Sequence, residues 1–215
     1  MNIVPYLKTI YSVDTPIFLK DIRIGGKSKA AIKEAVFRAV KNGDMYRKTN
    51  GVYYFKSNKE FGSGINITDI IERKYLYQKG VPYEFRELFI NGYYSGLTFL
   101  NKIGLSQQVP ATIEITTNET SSKKRIVVVD KYKIIIRKGK TFIDTTNYKV
   151  LQFLDMFHFL SEKEVEDNRE IIIDYAKKEG ITAGLINQYI YLYGPKTLKK
   201  LVEVKLWKFY IVWVL

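Results

Sequence analysis

The sequence predicts an α+β protein: an N-terminal winged helix-turn-helix, then a domain with a small antiparallel sheet and several helices. Three observations carry that prediction. Helical periodicity in the first forty residues runs into an Asn-Gly turn between β-prone runs. Three β-prone segments cluster between residues 111 and 137. Helical spacing of apolar residues then dominates the last third.

Residues 2–12 are read as a helix with Ile3, Leu7 and Ile10 on one face. Thr15 followed by Pro16 has the form of an N-cap with proline at the first helical position, opening a short helix to about Ile22. Gly25-Gly26 interrupts the chain. Ser28 caps a longer helix to about Asn42, with Ile32, Ala35, Val36, Ala39 and Val40 at helical spacing. Gly43 stands where a C′ glycine ends such a helix. Asn50-Gly51 then joins residues 45–49 to residues 52–56, which predicts a hairpin with a type I′ turn. Helix, helix, glycine turn, helix, hairpin is the element order of a winged helix.

Residues 57–66 (SNKEFGSGIN) read as a linker, dividing a domain over 1–60 from one over 67–215. Helices are expected over 68–78 and 95–103, and strands over 111–117, 125–130 and 133–137. Further helices are expected near 147–159, 161–178, 183–193 and 196–208. The apolar run 209–215 is too short to cross a bilayer, which takes ~20 residues as a helix. It is read as a terminal strand, a docked helix end or an interface. The N-terminus lacks the basic and apolar regions of a signal peptide.

Composition narrows the function classes. Of 215 residues, 46% are hydrophobic and 14% aromatic, which argues against a disordered chain. No cysteine is present, which excludes disulfide scaffolds, zinc ribbons and thiolate nucleophiles. One histidine leaves a single possible base for a Ser-His-Asp triad. The 35 Lys+Arg against 22 Asp+Glu give a net charge of +13 and point to a polyanionic partner. Residues 1–60 carry a net +7, and residues 123–140 another +7. A cytoplasmic protein with no membrane association, no metal and no cofactor is expected.

A helix presenting basic and polar side chains can enter the major groove of DNA. On the 28–42 helix, the side opposite the apolar stripe carries Lys29, Lys33 and Phe37, flanked by Arg38. The candidate DNA contacts are Lys27, Ser28, Lys29, Lys33, Phe37 and Arg38, with Arg47, Lys48 and Asn50 at the hairpin tip. Lys123, Lys124, Arg125, Lys131, Lys133, Arg137, Lys138 and Lys140 form a second basic surface. A solvated hairpin explains that second set as well as a phosphate-contacting surface does.

Two stretches carry a family resemblance. The run AIKEAVFRAVKNG at 31–43 and the wing ending Asn50-Gly51-Val52-Tyr53-Tyr54 resemble the winged-helix module of AbiEi-like antitoxins. These are the repressor partners in type IV toxin–antitoxin (abortive infection, phage-defence) systems. The run SGLTFLNKIGLSQQVPA at 95–111 is similar to the family segment "SG…N.LGLStQVPa", with Gln107 where threonine is usual. The resemblance covers residues 15–138. It implies a transcriptional repressor that binds double-stranded operator DNA of its own operon. It also implies an antitoxin that counteracts a nucleotidyltransferase-like toxin without forming a stable complex with it.

Enzyme signatures are few. The G-x-S-x-G elbow, Walker loop and G-x-G-x-x-G are absent from the sequence. His158 lies in an apolar helical stretch and reads as a partly buried structural residue. Glu114, Asp130 and Lys133 resemble the acidic–lysine core of a nuclease, so a nucleic-acid processing enzyme targeted by a winged helix is one alternative. A winged-helix protein-interaction adaptor is the other. The amides of Gln107 and Gln108 are expected to satisfy buried backbone at a helix-to-strand turn, or else to form a contact surface.

Overall fold

The computed structural model describes residues 2–58, 64–79, 81 and 83–203. It is a mixed α+β chain in two compact units, Met1–Phe89 and Ile90–Leu215. The sequence sets the division in the polar stretch 57–66, whereas the compact units divide after Phe89. The segment after the linker therefore belongs to the first unit. The apolar run 209–215, the end of the helix expected to residue 208 and the centre of the linker (59–63) lie outside the described residues.

The first unit begins with α1 (Val4–Lys8), shorter than the helix expected over 2–12. The helix expected from Pro16 is instead a two-residue strand, β1 (Ile17–Phe18), followed by a 3-10 turn over Leu19–Asp21. The Thr15 hydroxyl donates to the carbonyl of Ser12 at 2.7 Å, turning back along the chain. Ile17 and Phe18, both buried, gain a strand partner, and that burial overrides the local helix signal.

Helix α2 (Lys29–Lys41) is capped as expected. The Ser28 hydroxyl accepts from the Ala31 amide at 3.2 Å, and Gly43 takes φ +81° just past the end. Strands β2 (Tyr46–Thr49) and β3 (Val52–Tyr54) complete an antiparallel sheet in the order β1-β3-β2. The turn differs from type I′. Only Gly51 takes positive φ (+73°), Asn50 does not, and the register shifts between Arg47 and Thr49. A bulge beside a left-handed glycine replaces the doubly left-handed turn. Ile3, Leu7, Ile17, Ile32, Val36 and Tyr53 are core residues here. Each such side chain contributes about 1.5–3 kcal/mol on burial.

Asp14, itself at φ +54°, gathers the ends of the linker: its Oδ1 accepts from the amides of Ser57 (3.2 Å) and Gly64 (2.7 Å). Helix α3 (Ile67–Ile71) starts in a capping box between Asn66 and Asp69. It widens into a π-helical turn over Glu72–Leu76, closed by the Tyr77 amide on the Glu72 carbonyl at 3.1 Å.

The second unit opens with β4 (Gly92–Tyr94), α4 (Gly96–Lys102) and β5 (Thr112–Thr117). Strands β6 (Lys124–Val129) and β7 (Tyr132–Lys138) follow. Their sheet is mixed rather than antiparallel: the order is β4-β5-β7-β6, and β5 pairs with β7 in parallel. Ile134 and Ile136 of β7 are fully buried, while Ile126 and Val128 of β6 are exposed. Strand β7 takes the central place, where Ile134 and Ile136 are covered, and β6 forms the edge. Helix α5 (Tyr148–Phe159) packs against α4 and β4, with Phe153 edge-on to Phe157 at 5.2 Å.

The helix expected over 161–178 is two: α6 (Glu162–Asp167) and α7 (Arg169–Lys178), divided at Asn168. Ser161 and Glu164 form a capping box at the start of α6. Helices α8 (Ala183–Tyr189) and α9 (Pro195–Glu203) also pack on α5. No helix among the described residues is long and apolar enough to cross a membrane.

Candidate nucleic-acid interface

Helix α2 buries Ile32, Ala35, Val36 and Ala39 and exposes its other side. Lys29, Lys33, Phe37, Arg38 and Lys41 all lie on the exposed side, with Glu34 as the helix's one carboxylate. Lys27 and Ser28 precede the first turn and are also exposed. The Lys33 ammonium sits 5.5 Å from the centre of the Phe37 ring, which is 42% exposed.

The hairpin turn is joined to the other side of the sheet. The Leu19 amide bonds to the Gly51 carbonyl at 3.0 Å, so β1 ends beside that turn. Residues 22–28 then lead into the N-terminus of α2. At the other end of the helix, the amides of Asp44 and Met45 both bond to the Ala39 carbonyl (2.9 and 3.3 Å), turning the chain into Tyr46. Tyr46 pairs with Tyr54 at the foot of the hairpin. The routing therefore sets the C-terminus of α2 at the hairpin's foot and the end of β1 beside the tip.

At the tip, Arg47, Lys48 and Asn50 are exposed. Arg47 Nη2 donates to Asn50 Oδ1 at 3.1 Å, and its Nε to the Thr49 carbonyl at 3.4 Å. The guanidinium is thus held across the turn, and Asn50 acts first as its anchor.

The second basic set does not form one surface. By register, Lys124 and Lys133 share a face of the sheet with Ile126 and Val128, while Arg125 and Lys138 lie on the opposite face. Arg137 leaves the set: its Nη2 is 2.7 Å from Glu114 Oε2 in a largely buried ion pair. Arg125 donates to the Glu119 carbonyl at 3.3 Å, and Lys140 lies 4.8 Å over the Tyr193 ring. Lys123 and Lys131 are exposed near opposite ends of β6.

The nuclease-like trio is not assembled. Glu114 is buried beside Arg137, and Asp130 occupies the β6–β7 turn at φ +57°. Lys133 pairs with Thr112, not with Glu114. Among the described residues no three His, Asp or Glu side chains stand where they would hold a metal. His158 is exposed rather than partly buried, with its ring edge-on to Phe159 at 5.3 Å. The amides of Gln107 and Gln108 are exposed too. Their expected task falls to Asn101, which donates to the Ser106 carbonyl at 3.0 Å, and to the Ser106 hydroxyl, which accepts from the Gln108 amide at 3.2 Å.

No family model matches the chain, and no curated protein matches it.

Two polar features have no counterpart in the sequence motifs. One is a cleft of about 450 Å³ at the hairpin's foot, bordered by Lys8, Asp44, Tyr46, Phe55 and Lys56. The other centres on Asp155 of α5, whose carboxylate accepts from the Tyr93 hydroxyl (3.0 Å) and the Thr116 hydroxyl (3.4 Å). Burial raises the Asp155 pKa above the ordinary carboxylate value, against the pull of those two donors, and burial likewise raises Tyr93. Both features join residues far apart in sequence, so no local spacing signals them.

Proposed function

We propose that this chain is a DNA-binding repressor whose first unit is a winged helix-turn-helix. In this reading the N-terminal half of α2 enters the major groove and the β2–β3 tip touches the adjacent backbone or minor groove. The observation that carries it is the exposed basic side of α2, opposite its buried Ile32, Ala35, Val36 and Ala39, in a unit whose hairpin exposes Arg47 and Lys48 at its tip. Lys29 and Lys33 then meet base edges or phosphates, Phe37 lies against the groove wall, and the anchored Arg47 with Lys48 grips phosphates.

The resemblance of residues 15–56 and 95–111 to AbiEi-like antitoxins supplies the rest of the proposal. The repressed operon is the protein's own, and the protein counteracts a nucleotidyltransferase-like toxin in the cytoplasm. The scattering of Glu114, Asp130 and Lys133 favours this reading over a nuclease.

The test is a gel-shift titration with duplex DNA from upstream of the gene. Lys29→Ala combined with Lys33→Ala abolishes the shift while the melting curve stays that of the wild type. An unchanged shift removes α2 from the interface. Co-expression with the adjacent gene tests the antitoxin half: the neighbour is toxic alone and harmless beside this protein. A neighbour that is harmless alone, or toxic in both cases, contradicts it.

A further inference from the structure

Proteins commonly protect the edges of their sheets by making edge strands short, bulged, covered or charged. Three of the four sheet edges here follow that rule. Strand β1 has two residues, β2 is broken by a register shift beside Arg47 and Lys48, and β4 has three residues, all buried. Strand β6 follows it only at its start, where Lys124 and Arg125 stand. Its six residues pair with β7 in unbroken register, and among the described residues it has no strand on its other side.

The rest of β6, Ile126-Val127-Val128-Val129, has no charge, proline or bulge. Ile126 is 51% exposed and Val128 69% exposed, both on the face that also carries Lys124 and Lys133. The edge therefore offers a row of backbone donors and acceptors, an apolar strip beside it, and lysines at both ends of that strip.

We propose that the open edge of β6 is a docking site for an extended acidic segment of a partner protein, which adds to the sheet as a fifth strand. Main-chain hydrogen bonds to β6 supply a sequence-tolerant part of the affinity. Alternate apolar side chains of the incoming strand cover Ile126 and Val128. Acidic residues flanking them meet Lys124 at one end and Lys133 at the other, with Lys123 and Lys131 adding to the field. A second copy of this chain is disfavoured because residues 123–140 carry a net +7, and edge-to-edge pairing sets two such segments together. Nucleic acid is disfavoured because the strip between the lysines is aliphatic, whereas single-strand binders place aromatic rings there. This inference concerns the second unit and does not rest on DNA binding by the first.

The probe is a short synthetic peptide alternating glutamate and valine, titrated into the full chain and followed by fluorescence anisotropy and amide hydrogen exchange. The peptide binds and slows exchange at residues 124–129. Ile126→Glu with Val128→Glu weakens binding roughly tenfold by like-charge repulsion. Lys124→Ala with Lys133→Ala, a second pair with no apolar change, weakens it without altering the melting curve. A peptide of the same charge in which a central valine is replaced by proline binds less.

Four results overturn the proposal. One is no binding, and another is equal binding by the proline-containing peptide, which marks plain charge attraction. The third is protection of 124–129 by a DNA or RNA oligonucleotide instead of by the peptide. The last is self-association of the chain that itself protects 124–129.

Discussion

The carboxylate of Glu114 occupies the space that a side chain at Gly96 would need. A Cβ at Gly96 would lie 2.5 Å from Glu114 Cδ, and the glycine holds φ +55°. The main chains are tied as well: the Ser95 amide bonds to the Glu114 carbonyl (2.9 Å), and the Glu114 amide to the Thr98 hydroxyl (2.9 Å). The start of α4 and the middle of β5 are thus locked together, with Arg137 of β7 paired to the same carboxylate. The Ser-Gly pair within the segment 95–111 has a physical basis here, since glycine alone fits this approach.

Gly96→Ala therefore combines a left-handed backbone with a buried clash. It lowers the stability of the second unit by roughly 2–4 kcal/mol in urea denaturation. An unchanged midpoint would show that Glu114 moves aside without cost.

Arg137→Ala leaves the Glu114 carboxylate buried without its ion-pair partner. With Glu114 at 9% side-chain exposure and Arg137 at 28%, solvent screening brings the loss just below the about 3–5 kcal/mol of fully buried pairs, to roughly 2–3 kcal/mol. The same variant tests the division of the basic set: if Arg137 is structural, its removal leaves DNA affinity unchanged once folding is allowed for. A selective loss of affinity would return it to the surface.

Asp155 gives a pH dependence with a defined sign. Its folded pKa lies above the unfolded one, so the folded state holds the proton longer. Its contribution is most favourable below the ordinary carboxylate value of about 4 and declines as pH rises from there through the raised folded value. Asp155→Asn, which still accepts from Tyr93 and Thr116, lacks this decline. Melting temperatures of the two proteins across that range diverge with increasing pH, the variant becoming relatively more stable. Parallel profiles would remove Asp155 as the cause.

Ser28→Ala removes the cap of α2 and costs about 1 kcal/mol in the first unit. Affinity for DNA falls with it, because the capped turn presents Lys29 and Lys33. Full stability in the variant would mean that the Ala31 amide finds another acceptor.

Much of the fold is legible where local chemistry decides it. Ser28 and Gly43 bound α2, and β-prone runs mark β5 to β7. The misreadings arise where tertiary pairing outweighs local preference. Thr15-Pro16 has the form of a helix start, yet Ile17 and Phe18 find a strand partner. Gly92–Tyr94 is too short for any period to appear. A β-prone run carries no strand direction, so three consecutive strands read as an antiparallel sheet, whereas β5 and β7 pair in parallel with β7 inside the sheet. The exposed basic side of α2 follows from spacing. The tie between Arg47 and Asn50 and the pairing of Arg137 with Glu114 depend on geometry that spacing does not encode.

The central claim is that DNA meets the first unit through the exposed basic side of α2 and the hairpin tip. Titrating isotope-labelled full chain with duplex DNA from upstream of its gene, and following backbone amide shifts, tests it most directly. The account predicts changes concentrated at residues 27–38 and 47–51, weakening steeply as salt rises. Changes centred instead on Lys8, Tyr46 and Lys56 at the hairpin's foot, or on residues 123–140, would contradict it.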